Sequence, residues 1–215
     1  MYLPSHFEIT DAATLHAFVR AHPLATWATV VDGAPQVNHI PFLLDPEAGA
    51  QGTLIGHVAR ANPVWRALGV SVFVFHGPEA YVSPSWYPSK HEPGANHGKA
   101  VPTWNYAVVH AHGTPEVVED RAALRAILQR QTQAHEGGLP KPWALDDAPA
   151  AFLEQMLQAI VGIRVPVVRW EAKFKLSQNR SAADREGVID GLGAGHPMAL
   201  AMAQAAGNAA GNAAS

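Results

Sequence analysis

The sequence predicts a mainly β protein with added helices (α+β class), an antiparallel barrel dressed by peripheral helices. Three observations carry this. Six or seven short runs rich in β-branched and aromatic residues are bounded by Gly, Pro, Asn and Asp. Helical periodicity falls between and after these runs. The spacing does not fit alternating βαβ units, so a parallel sheet is excluded. An open α+β sheet is the competing architecture.

The elements follow in order. Asp11–His22 reads as a short helix, capped by Thr10 or Asp11, striped by Leu15, Phe18 and Val19, and stopped by Pro23. Strands are predicted at Leu24–Val31, Gln36–Leu44 and Thr53–Val58, with Asp32-Gly33 as a hairpin turn. Asn62-Pro63 opens a brief helix, Asn as cap and Pro in its first turn. Val70–His76 alternates as a strand, and Asn105–His112 and Pro115–Glu119 are two more. Helices return at Asp120–His135 and Ala148–Ile160, before a long strand over Gly162–Lys175. Ser181-Ala-Ala-Asp184 fits a capping box opening a final helix. Residues 1–193 are read as one domain and 194–215 as an Ala/Gly/Asn-rich tail, which from Ala205 has little to bury and frays unless tied down.

The chain has 215 residues, 48% hydrophobic, with a formal charge of −3 and no cysteine. One sizeable core fits that length. Disulfides and thiolate metal sites are excluded. The absence of Lys/Arg runs argues against a nucleic-acid footprint. With no signal peptide at its start and no long apolar run, the chain is expected to be cytoplasmic.

The chemically richest stretch is Ser83–Tyr106, SPSWYPSKHEPGANHGKAVPTWNY. Its prolines and polarity predict an ordered, non-helical loop outside the core, running into a strand at Thr103. Aromatic faces, amides and ammonium groups on one surface suit a planar anion. Lys90, Thr103, Trp104 and Asn105 are its candidate ligand contacts. Trp104 is expected to face opposite to Thr103 and Asn105. The alternative is a proline-stiffened loop that covers a sheet edge.

Gly56-His57-Val58-Ala59-Arg60-Ala61-Asn62-Pro63 joins a strand end to a helix start, where backbone N–H groups and Arg60 could read a phosphate. Arg60 serves equally well as a solvated loop residue. His110 and His112 share a strand face, but no third zinc ligand is placed by sequence, and no metal is assigned. Neither GxGxxG, Walker A nor GxSxG is present. After the last strand, Gln178, Asn179 and Arg180 crowd polar groups together. They read as ligand or subunit contacts, or as a polar exit from the strand.

The blocks HVARANPVW, GPEAYVSPSWYPSK, VPTWNYAVVHAHG and KLSQNRSAADREGVIDGL, behind the opening MYLPSHF, resemble the PaiB family of FMN-binding negative transcriptional regulators. The resemblance runs in order over about residues 1–193. It implies a split β-barrel of the pyridoxamine-phosphate-oxidase-like superfamily, a homodimer with FMN at the interface. It further implies that the strand bearing Asn38, His39, Ile40 and Pro41 passes the isoalloxazine ring. His57 and Arg60 would lie at the phosphate, with one Arg where the superfamily has a basic pair, and Val58 and Asn62 beside them are further candidate cofactor contacts. Trp170 and Lys175 resemble a closing Trp…Arg-Leu motif from the second subunit, with Lys for Arg. The oxidase substrate motifs are not otherwise matched. Function is thus expected to be FMN binding with regulation that need not involve direct DNA contact. A flavin-dependent oxidoreductase and a haem or tetrapyrrole binder are the alternatives.

Overall fold

The computed structural model describes residues 1–66, 68–91, 93 and 97–212, the last five of these by backbone only. Its strands are β1 (Leu24–Val31), β2 (Ala34–Pro41), β3 (Leu43–Asp45), β4 (Thr53–Ala59), β5 (Ser71–Val82), β6 (Thr103–Gly113), β7 (Glu116–Val118) and β8 (Ile160–Lys175). Its helices are α1 (Ala12–Ala21), α2 (Pro88–His91), α3 (Arg121–Glu136), α4 (Ala150–Gln158), α5 (Ala182–Leu192) and α6 (Pro197–Asn212). The strands form an eight-stranded sheet in the order β2-β1-β5-β6-β8-β4-β3, with β7 on β8. Every pairing whose register is resolved is antiparallel.

Two compact units divide the chain. The first comprises Met1–Thr10, His76–Val108 and Glu171–Ser215; the second comprises Asp11–Phe75 and Val109–Trp170.

The second unit begins with α1, whose cap is Asp11: its carboxylate accepts from Thr14 N at 2.8 Å. Asp32 (φ 50°) and Gly33 (φ 78°) are both left-handed. That is the geometry of a two-residue hairpin turn matching strand twist, and it sets Val31 opposite Ala34. Along β1, Ala25, Trp27 and Thr29 point inward. Trp27 stacks on Phe73 at 5.3 Å, and Phe42 meets Phe73 edge-on at 5.1 Å. The predicted strand over Gln36–Leu44 is in fact two strands. Phe42 gives its N–H to Pro23 O at 2.8 Å and buries its ring, so the chain leaves β1 there and pairs with β4. On α3, Leu124 is buried with Leu145, Leu153 and Leu157.

The first unit has its own core. Val82, Tyr87, Leu176, Val188, Met198 and Met202 pack together. Expectations for two segments are corrected here. Ser83–Tyr106 is not wholly non-helical: Pro84–Trp86 is a 3-10 turn and Pro88–His91 a helical turn. Nor does it lie outside the core, because Tyr87 and Asn105 are buried. Glu92 and Gly94–Asn96 of this stretch lie outside the described residues. The Ser181 cap holds, its hydroxyl accepting from Asp184 N at 3.2 Å. The box does not close, since Asp184 turns to accept from Ser89 N and Oγ at 3.1 and 2.8 Å. Nor is α5 final: α6 follows, with Met198 and Met202 buried, and helix continues past Ala205 to Asn212.

Candidate functional site

In the second unit, β2 is a terminal strand bonded to β1 alone. Its outward N–H and C=O groups have no second strand among the described residues. Asn38 and Ile40 are half-buried, while His39 and Pro41 are exposed. His39 Nδ1 lies 3.2 Å from Thr26 Oγ1 across the hairpin.

Gly56 lets β4 approach the end of β2. A Cβ there would meet Pro41 O at 2.9 Å and the Phe42 ring at 2.8 Å. The next residue, His57, places Nδ1 2.7 Å from Gln131 Oε1, and Gln131 Nε2 donates to Pro41 O at 3.3 Å. The Pro41 carbonyl can only accept, so it orients the amide. Gln131 Oε1 then accepts, Nδ1 of His57 carries the proton, and Nε2 is left as the acceptor of the neutral ring. Val58 is buried core and offers a ligand only its backbone.

Asn62 caps the following 3-10 turn, Oδ1 accepting from Val64 N at 3.0 Å, while its Nδ2 donates to Asn38 Oδ1 at 2.8 Å. Two separate links thereby tie β2 to the chain around β4, Asn62 to Asn38 and His57 through Gln131 to Pro41. Arg60 is differently employed. Its guanidinium pairs with Glu119 at 2.7 Å and donates to the carbonyls of Gln158 and Ile160 at 3.0 and 3.2 Å.

Sequence reasoning passed over Trp65 and Arg66. Trp65 donates Nε1 to Arg60 O at 3.0 Å, and its ring lies 4.7 Å from the Arg66 guanidinium and 5.9 Å from that of Arg60. Two guanidinium groups thus flank one indole ring. No ion pair to Arg66 occurs among the described residues. The overlooked signal was VWR directly after the Asn-Pro cap. Trp170, also in this unit, gives Nε1 to Gln51 O at 3.1 Å.

In the first unit, Trp104 is exposed and meets Tyr81 edge-on at 6.2 Å, whereas Asn105 points inward. The expected alternation holds. Lys175 Nζ donates to Thr103 Oγ1 and to Trp104 O. Burial, with Lys173 and Arg180 nearby, holds the Lys175 ammonium below the usual lysine range. Fully buried Asn105 donates Nδ2 to Ser177 Oγ at 2.9 Å, and its Oδ1 has no partner among the described residues. Ser177 adopts a left-handed φ of 63°. Gln178 closes this turn on itself, accepting from Leu176 N and donating to Phe174 O. Arg180 lies 4.6 Å over the Tyr87 ring. Lys90 is half-buried at the end of α2.

These residues fit FMN in kind. A terminal strand offers alternating donors and acceptors to a pyrimidine-type ring edge, and Arg66 offers a fork to phosphate. When bound, the cofactor supplies redox chemistry and the protein orients it. The antiparallel sheet and its helices share the fold of split-barrel proteins. The chain belongs to the family described as “Putative FMN-binding domain”, whose model matches residues 1–169, and FMN is the cofactor of that domain. It is 32% identical over 195 residues to the Bacillus subtilis protease synthase and sporulation protein PAI 2, covering 89% of each chain. An uncharacterised Aspergillus fumigatus protein is 34% identical over 238 residues, with 89% of this chain and 90% of that one covered. A Mycobacterium smegmatis FAD and heme binding protein shares the fold, with a TM-score of 0.57 at 20% identity, over 83% of this chain and 78% of that one. The fold expectation is borne out: a mixed α+β split barrel. No helix among the described residues is long and apolar enough to cross a membrane.

Proposed function

We propose that this protein is a homodimeric FMN-binding regulator of the PaiB type that acts without reading DNA directly. The observation that carries the reading is the pair of links that tie terminal strand β2 to the chain around β4, Asn62 to Asn38 and His57 through Gln131 to Pro41, with Arg66 on Trp65 in the 3-10 turn that Asn62 caps. In this reading the isoalloxazine edge pairs with β2 and the phosphate takes Arg66, with Arg60 as its neighbour. Thr103, Trp104, Asn105, Lys175, Gln178 and Arg180 serve the same ligand from the partner copy or brace the strand end. Exposed Leu24, Val30 and Val37 on the β1–β2 hairpin support a second copy as partner. The net charge of −3 and the lack of a basic run support indirect regulation. The kinship with PAI 2, named for protease synthesis and sporulation, supports a regulatory role.

The test is an FMN titration followed by flavin absorbance, with sedimentation of the loaded protein. Tight, stoichiometric flavin binding by a dimer is expected. A monomer at micromolar concentration, or a Soret band in place of flavin bands, sinks the reading. Rapid reduction of bound flavin by a nicotinamide donor would favour an oxidoreductase. Nanomolar sequence-selective DNA binding at physiological salt would overturn indirect regulation.

A further inference from the structure

We propose a second ligand site in the second unit, remote in kind from flavin chemistry, that takes a small organic carboxylate with an apolar body. It is a cleft of about 240 Å³ between α3 and the strands β4 and β8. Ile55, Val118, Ala126 and Ile127 give it an apolar lining. Asp45, Arg130 and Arg164 supply its charges.

Two guanidinium groups and one carboxylate line the cleft, and Glu116 stands outside that lining, opposite Arg164 on β7. Arg130 is already committed, its Nη1 lying 2.8 Å from Asp45 Oδ2. That hydrogen bond, with Arg164 adding its field, holds the Asp45 carboxyl below its usual range. The Arg164 guanidinium has no hydrogen bond or ion pair among the described residues. Its register neighbours are Ile55 on β4 and Glu116 on β7. Glu116 stands across from it without closing an ion pair. Arg164 is therefore a planar double donor beside an apolar lining, in a cleft that already holds one Arg–carboxylate pair. The Arg164 fork can bind a ligand carboxylate bidentately, in place of the ion pair that Glu116 does not close. The apolar lining selects against a bare inorganic anion, because burying it requires a hydrophobic body in return. The small volume limits that body to a single ring or a short chain.

The test is calorimetric titration of the full-length, FMN-loaded protein with benzoate, benzamide and inorganic phosphate. Saturable benzoate binding with a Kd of about 1 mM or tighter is expected. Benzamide and phosphate should bind at least about tenfold more weakly. Arg164→Gln should weaken benzoate about tenfold to a hundredfold, the range for losing a charge-assisted hydrogen bond. Ala126→Leu, which keeps every charge and fills the cleft, should do the same. Unchanged flavin absorbance in both variants shows that they are folded. The proposal is overturned by absence of benzoate binding, by equal binding of benzamide or phosphate, or by a benzoate affinity that survives either substitution. Failure here leaves the flavin reading untouched, since that is measured by FMN titration alone.

Discussion

The block from His57 to Arg66 and the stretch from Ser83 to Asn105 have similar ingredients: tryptophan, histidine, asparagine, proline and cations. They have opposite fates. In the first, Trp65 is half-buried, Arg66 is exposed, and His57 Nε2 has no partner among the described residues. In the second, Tyr87 and Asn105 are sealed in a core closed by α5 and α6. Trp86 supplies a carbonyl and a ring against which Gly187 and Gly191 fit without room for a Cβ. The difference teaches that polar, aromatic composition shows capacity for ligand chemistry but not availability. A tryptophan whose face meets another element has been used for folding.

Gly187→Ala attacks this contrast hardest. In an isolated helix the change would stabilise by about 1 kcal/mol. Here the new Cβ would lie 2.1 Å from Trp86 O, backbone that cannot swing aside. A loss of about 3 kcal/mol is expected from overpacking, read as a fall in the urea midpoint. A stabilised variant would show that α5 does not hold this loop.

Arg66→Ala probes the open block. Flavin affinity should fall by about 2 kcal/mol, the scale of a charge-assisted hydrogen bond, with the urea midpoint nearly unchanged. Arg60→Ala should instead lower the midpoint, because Glu119 and the carbonyls of Gln158 and Ile160 lose their donor. A titration in which only Arg60→Ala weakens FMN reverses these roles.

Ser181→Ala removes the cap of α5 and should cost about 1 kcal/mol, visible as a small shift of the same midpoint. Equal stability would mean that the Asp184–Ser89 pair alone anchors this helix start.

The smallest effect belongs to Lys175. Its folded pKa lies below 10.5 because burial disfavours the charge. The unfolded chain therefore binds more protons between the lowered value and 10.5, so stability rises with pH across that window. At neutral pH the penalty is present in full. Lys175→Met should flatten this rise while losing the contacts to Thr103 and Trp104. Identical slopes for variant and parent just below pH 10.5 would remove Lys175 as the cause.

Much of the fold was legible from local pattern. The β1 boundaries, the Asp32-Gly33 turn and the caps at Asp11, Asn62 and Ser181 depend on neighbours within a few residues. Alternation along Thr103–Asn105 placed Trp104 outside and Asn105 inside for the same reason. The break at Phe42 was not legible, because a continuous apolar run does not reveal which strand will accept its hydrogen bonds. Arg66 was overlooked since its relation to Arg60 runs through the Trp65 ring and not along the chain.

The sequence by itself determined most of the strands, the helices α1, α3, α4 and α5, the absence of thiol chemistry and, through ordered motif blocks, the FMN-binding family. Those properties reside in composition, short-range periodicity and residue order. Only the tertiary structure decided that Arg60 serves Glu119 and two carbonyls, that Gln131 sets the His57 tautomer, and that α6 buries Met202 against Asn105. Each of these joins residues 59 to 100 positions apart. Such contacts are chosen by which surfaces the folded chain brings together, and no local pattern encodes that choice.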